Sequence, residues 1–113
     1  MLTVTAPRSW SVLPHAYTLR HGGNYVADSL RNWDLQGSSD GHNWILLRRH
    51  QRDEALKGKF MSHTWKIKAQ DSEKPLRIFR IIQTGHNSSN HNFLVLSGFE
   101  LYGELWETDA VEH

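Results

Sequence analysis

Nowhere along the chain do apolar side chains recur at helical spacing for more than a few residues. They alternate with polar ones in short runs, separated by Gly, Ser, Asn and Asp clusters. A period of two sends successive side chains to opposite faces, so each run reads as a half-buried strand. Ala16-Tyr17-Thr18-Leu19-Arg20 has this form, as does Arg31-Asn32-Trp33-Asp34-Leu35-Gln36-Gly37, which sets Trp33 and Leu35 on one face. Ser38-Ser39-Asp40-Gly41-His42-Asn43 supplies a turn, because Gly tolerates positive φ and an Asp carboxylate bonds nearby amides. With Trp44-Ile45-Leu46-Leu47-Arg48 returning, these residues predict a β-hairpin.

Thr64-Trp65-Lys66-Ile67-Lys68 alternates again. The denser, β-branched run Leu76-Arg77-Ile78-Phe79-Arg80-Ile81-Ile82 predicts a central strand partly covered on both faces. Phe93 to Leu96 and Phe99 to Gly103 supply the last strands, with a bulge or bend expected at Ser97-Gly98. One helical turn is expected over Asp53-Glu54-Ala55-Leu56-Lys57, ended by Gly58. Many short strands between turn clusters imply an all-β sandwich or barrel. Five Trp, three Tyr and four Phe give its thin core enough buried area.

A chain of 113 residues builds one such domain and not two. No apolar run reaches the roughly 18 residues of a membrane-spanning helix. Met1 to Trp10 lacks the basic-then-apolar order of a secretory signal. The net charge of +1 argues against nucleic acid, whose binders concentrate cations to neutralise phosphates. Arg48, Arg49, Arg52, Lys57 and Lys59 share their neighbourhood with Asp53 and Glu54, which reads as a solvated mixed-charge loop. Zero cysteines remove disulfides, thiolate metal sites and a thiol nucleophile. A reducing compartment, the cytoplasm or the nucleus, is the expected home.

Eight histidines stand out, among them His42, His50, His63, His86 and His91. Metal sites gather ligands in tight local spacings such as HExxH, and none occurs here, so no metal or other cofactor is expected. Solvated or backbone-bonded histidines are the expectation. No G-x-S-x-G elbow surrounds Ser97, and Asp34, Asp40 and Glu100 fall in turns or on outward positions. His21-Gly22-Gly23-Asn24 opens no helix and so forms no phosphate loop. Asn87-Ser88-Ser89 fits the glycosylation triplet, which without a secretory route reads as chance. These absences argue against an enzyme.

Two stretches, His21 to Leu30 and Thr84 to Asn92, are rich in amide and imidazole groups and nearly free of charge. Such groups make good turns, and they also suit directional recognition of a peptide backbone or a neutral polar ligand. The second use requires both to lie at one end of the sandwich, as binding loops on rigid β scaffolds do.

Tyr17-Thr18-Leu19-Arg20-His21-Gly22, then Leu30-Arg31-Asn32-Trp33, Gln36-Gly37-Ser38, Asp40-Gly41 and Trp44, and finally Leu96-Ser97-Gly98-Phe99-Glu100-Leu101-Tyr102-Gly103, resemble in order and spacing a discoidin-like (F5/8 type C, galactose-binding-like) domain. The version is the one found beside BTB/POZ domains and in some HECT-type ubiquitin ligases, and the match covers roughly residues 10–105. The resemblance implies a jelly-roll β-sandwich, shortened at its N-terminus, with residues 1–9 and 106–113 as flexible termini. It implies a non-catalytic module that binds a peptide or protein partner, serving substrate recruitment in a ubiquitin-ligase or BTB-adaptor setting. A carbohydrate-binding module is the alternative. Without cysteines or bulky apolar tips on the second loop, membrane insertion is not expected. A missing edge strand would leave backbone groups unpaired and invite a homodimer. The residues expected to meet the partner are His21, Asn24, Tyr25 and Arg31 by the first loop, and His86, Asn87, Asn90 and His91 in the second.

Overall fold

The alternating runs assemble into two antiparallel sheets. The computed structural model describes residues 1–23, 27–57, 60–68, 74–92 and 94–107. Its strands are β1 (Leu2–Thr5), β2 (Trp10–His21), β3 (Trp33–Ser38), β4 (Trp44–His50), β5 (Ser62–Lys66), β6 (Ile78–Gln83) and β7 (Leu96–Glu107). One sheet runs β1-β6-β3-β4 and the other β5-β2-β7. This is the expected all-β sandwich, and no helix among the described residues is long and apolar enough to cross a membrane.

The inward half of each alternation fills the space between the sheets. Trp33 and Leu35 of β3, Leu47 of β4 and Phe79 and Ile81 of β6 meet Tyr17 and Leu19 of β2 and Trp65 of β5, all buried. Leu30, Leu56, Ile67 and Leu76 join the same cluster from the connections. Each fully buried side chain of this size contributes roughly 1.5–3 kcal/mol.

The hairpin lies where the sequence puts it, with Ser38 opposite Trp44. Asp40 accepts the backbone N–H groups of Asn43 and His42, each at 2.8 Å, and Gly41 takes a φ of 82°. Those amide bonds hold the Asp40 carboxyl well below the usual carboxylate range. β6 is indeed central, flanked by β1 and β3. Phe99 to Gly103 belongs with Leu96 to one strand, and the register slips as Arg20 faces Gly98 while His21 faces Leu96, which places the bulge at Ser97.

Two expectations are corrected. Residues 2–5 are not a free terminus: Leu2 to Thr5 alternate and pair along β6 from Ile81 to Ile78, forming one margin of the larger sheet. Residues 53–57 form no helical turn, because Asp53 turns its carboxylate back on the amide of Ala55 at 2.9 Å and so competes with helical bonding.

β2 and β7 also continue past the sandwich. β5 covers β2 only from Ala16 to Arg20, while Trp10–Pro14 and Gly103–Glu107 pair on as a ribbon. The molecule is accordingly elongated, 50 × 22 × 22 Å. Pro14 and Gly103 oppose one another beside a register shift, where a missing N–H is tolerated. Gly103 is required there, since a Cβ would stand 2.0 Å from the Leu13 carbonyl oxygen. Val12 and Leu76 exchange two backbone bonds of 2.8 Å and moor the ribbon to the segment before β6.

Candidate functional site

β2 ends at His21 against the start of β7, and β3 begins at Trp33 against the end of β6, so four strand ends share one pole. The loops between them are therefore adjacent, and their polar groups join. Ser88 N–H donates to the Ser29 carbonyl at 2.9 Å, and Ser29 N–H returns a bond to Ser88 Oγ at 2.8 Å. Asp28 N–H donates to Ser89 Oγ at 2.9 Å. The Asp28 carboxylate accepts Asn87 Nδ2 at 3.1 Å and His91 Nδ1 at 2.7 Å. Asp28 and Asn90 hold left-handed φ values of 60° and 62°, which Asp and Asn tolerate better than most residues. Residues 27–30 of the first loop and 84–92 of the second, both picked out in the sequence, thus join in one rim.

Within that rim the expected residues divide. His86, Asn90 and His91 are exposed, the side chain of His91 by 53%. Arg31 is half-buried and donates through Nη1 to the carbonyls of Leu56 at 2.8 Å and Leu30 at 3.3 Å. It flanks a cavity of about 540 Å³ with Ala27, Glu54, Lys57, Ser88 and Ser89. Asn24 and Tyr25 lie outside the described residues.

His21 and Asn87 are corrected: both are buried, at 0% and 4% exposure, and face no visitor. His21 ends a strand on its inward face, with its backbone spent on Met61 and Ser97. Asn87 is the pin of its own loop. Its Oδ1 accepts the amides of Ser89 at 2.9 Å and His91 at 3.0 Å, and its backbone bonds His91 and Asn90. An amide that closes a turn from within has no groups left for a ligand.

Asn32 is a rim residue that the sequence reading assigned only to a strand. Its carbonyl accepts Thr84 N–H, its Nδ2 donates to the His86 carbonyl, and its Oδ1 accepts Arg52 N–H at 2.9 Å. One side chain and its backbone thereby hold three segments together. Asn32 keeps the polar phase of its alternating run, so nothing in the local sequence marks this role.

Beneath the rim runs a buried chain of bonds that sequence did not reveal. Trp33 Nε1–H donates to Tyr17 Oη at 2.9 Å, and Tyr17 lies 2.6 Å from His50 Nε2. His50 Nδ1 lies 2.8 Å from Asp53 Oδ2, which also accepts Trp65 Nε1–H at 3.2 Å. A carboxylate only accepts, so His50 donates Nδ1–H to Asp53, and with burial disfavouring the imidazolium its Nε2 accepts a hydrogen bond from the Tyr17 hydroxyl. The imidazole is thus neutral and stacks on Trp33 with centroids 4.0 Å apart. Burial pushes its pKa down against the pull of Asp53. Burial likewise pushes the Tyr17 hydroxyl far up. At Asp53 burial pushes upward, but the bonds from Ala55 and His50 outweigh it and the carboxyl settles below its ordinary value. Tyr17 and His50 are 0% and 3% exposed, so the chain of bonds orders the core and offers them to no substrate. Among the described residues, no three His, Asp or Glu side chains converge as metal ligands would.

No protein-family model matches the sequence. The E3 ubiquitin-protein ligase Ufd4 of Drosophila melanogaster is 45% identical over 96 residues, 83% of this chain. This chain is thus similar to a short segment of that ligase. The E3 ubiquitin-protein ligase hecd-1 of Caenorhabditis elegans is 40% identical over 103 residues, 88% of the chain. A BTB/POZ domain-containing protein of Arabidopsis thaliana is 38% identical over 92 residues, 77% of the chain. The chain spans 4% of the length of each ligase and 11% of the BTB/POZ protein. Both settings named by the resemblance recur among these relatives, and the matched piece is a small part of each.

Proposed function

We propose that the chain is a discoidin-like, non-catalytic recognition module that captures a peptide or protein partner on the rim, within a ubiquitin-ligase or BTB-adaptor assembly of the cytoplasm or nucleus. One observation carries this reading. Two segments some sixty residues apart, including Asp28–Ser89 and Ser29–Ser88, are tied into a single polar rim that keeps His86, Asn90 and His91 exposed beside the Arg31 cavity. Rigid loops present hydrogen-bonding groups at little cost in conformational entropy, which favours directional capture of a partner's main chain. The ligase and BTB/POZ relatives support a protein as that partner.

The test is affinity capture with the wild-type chain beside a His86→Ala/His91→Ala variant, both scored for melting temperature. A discrete set of captured proteins that the variant loses at an unchanged melting temperature supports the rim. Equal capture by the two chains refutes it. Glycan binding requires an exposed aromatic face at this pole. Phe60, 44% exposed and joined to Gly23 by a 3.0 Å bond, has the Arg20 guanidinium over its ring, so nothing among the described residues favours that second reading.

A further inference from the structure

β7 is a margin of its sheet, with β2 on one side and no described strand on the other. The bonds of β2 settle which backbone groups of β7 are spent. Val12 exchanges both its bonds with Leu76, the His15 carbonyl accepts Ile67 N–H, and His21 N–H donates to Met61. All of these groups turn away from β7. Tyr17 and Leu19 share the phase of His21, since an antiparallel strand alternates the side to which successive residues point. The residues opposite Val12, Tyr17 and Leu19 are Leu105, Leu101 and Phe99, and their N–H and C=O groups therefore point outward. Gly103 and Glu107 keep that phase, and Gly103 faces Pro14, whose missing N–H costs the pair nothing there. Phe99, Leu101, Gly103, Leu105 and Glu107 thus present a regular row of donors and acceptors that no described residue meets. The edge also changes character half-way along. Phe99 and Leu101 pack against the core, whereas Leu105, on the same face, is 65% exposed where the ribbon has left the sandwich.

We infer that β7 pairs antiparallel with β7 of a second copy, about a twofold axis at Gly103, joining two three-stranded sheets into one of six. Two features specify a copy as the occupant. The sandwiched stretch Phe99–Tyr102 and the overhanging stretch Glu104–Glu107 are equal in length, so a twofold between them lays each ribbon along the partner's sandwich. Leu105 then stands beside the partner's Leu101, which covers apolar surface left bare in one copy alone. The phase fits as well, because the outward residues fall symmetrically about Gly103. Phe99 meets the partner's Glu107 and Leu101 the partner's Leu105, each pair exchanging both bonds, while Gly103 meets its own copy with no side chain to collide.

Charge and register select this axis over its neighbours. An axis at Tyr102 sets Glu100 opposite Glu104, and an axis at Glu104 sets that carboxylate opposite its own copy; both are destabilising. An axis at Leu101 runs the ribbon along the bulge at Ser97, where the ladder is irregular. At Gly103, Glu100 stands opposite Trp106 and Glu104 opposite Tyr102. The two rims then lie at opposite ends of the dimer, both uncovered.

Sedimentation equilibrium tests the pairing. Molar mass is expected to rise with concentration from the 13.1 kDa of one chain to twice that and no further, since the twofold uses up the edge. Leu105→Pro removes an outward N–H and no bond to β2, and is expected to weaken association by about tenfold or more. Glu100→Cys/Trp106→Cys, in a chain without other cysteines, is expected to give a disulfide-linked dimer on mild oxidation. Facing residues of that phase bring their Cα atoms within about 5 Å, whereas the two positions of one strand lie roughly 20 Å apart and cannot bridge. Glu100→Cys/Tyr102→Cys is expected to give far less. A wild-type chain that stays monomeric at its highest soluble concentration, a mass that grows past two copies, or a folded Leu105→Pro chain that associates like wild type would overturn the dimer. More cross-linking by the 100/102 pair than by the 100/106 pair would overturn the axis at Gly103. Should Leu105→Pro fail to fold, the two cysteine pairs decide by themselves.

Discussion

The rim and the ribbon stand at opposite ends of β2 and β7 and are ordered by different means. At the rim, loops with little regular pairing are fixed by side chains: Asn32, Ser88 and Ser89 each bond another segment's backbone, and the Asp28 carboxylate accepts Asn87 and His91 across the two loops. At the ribbon the backbone ladder from Trp10–Glu107 to Pro14–Gly103 does the ordering, and side chains such as Leu105 and Trp106 stay 65% and 51% exposed. The rim depends on residue identity at many points, and the ribbon at few. A polar rim with its bonds satisfied internally can still show imidazoles to solvent, which suits recognition. A ribbon held by its main chain tolerates change except where two backbones nearly touch.

The sharpest break in that contrast is Gly103→Ala. With the new methyl group 2.0 Å from the Leu13 oxygen, the strands must separate, at a cost of about 3 kcal/mol or more, read by denaturant unfolding. Next comes Asn87→Ala, which leaves the Ser89 and His91 amides without their acceptor. It is expected to cost about 2 kcal/mol and to speed amide exchange across residues 84–91 while leaving the ribbon unchanged. Should exchange rise equally in both regions, the rim is not a separately ordered unit.

Acid probes the layer beneath the rim. His50 ionises less readily folded than unfolded, so between those values the unfolded chain binds more protons and stability rises with pH. Its contribution is fully present above the ordinary value of 6.5 and is lost as pH falls from there toward the lowered folded value. Asp53, also lowered, adds its own loss only on further acidification below 3.8. Melting temperature is therefore expected to fall between about pH 7.5 and about pH 5, with a flatter profile in His50→Gln. An equal slope in the variant would assign the effect to other groups. The smallest effect belongs to Trp106→Ser, whose exposed ring donates to Glu104 at 3.0 Å; a change within about 0.5 kcal/mol is expected.

What could be read in advance follows the same division. The hairpin at Asp40-Gly41, the bulge at Ser97 and the central position of β6 are written locally, in period and turn chemistry, and they stand in the structure. The meeting of the two loops was legible only as a condition, and strand pairing meets it. β1 was not legible, because a four-residue alternation is too short to signal and its partner Ile81 lies far along the chain. The inward turn of His21 and Asn87 was equally hidden: an amide or imidazole looks the same whether it closes a turn or greets a ligand. His50 belongs to Tyr17, thirty-three residues away, and no spacing rule joins them.

Hydrogen–deuterium exchange of the chain, alone and with a captured partner, puts recognition by the rim to its most direct trial. Slower exchange at residues 27–32 and 84–91, with 103–107 unaltered, is the outcome expected. Protection gathered on the ribbon, with those two segments untouched, would contradict it.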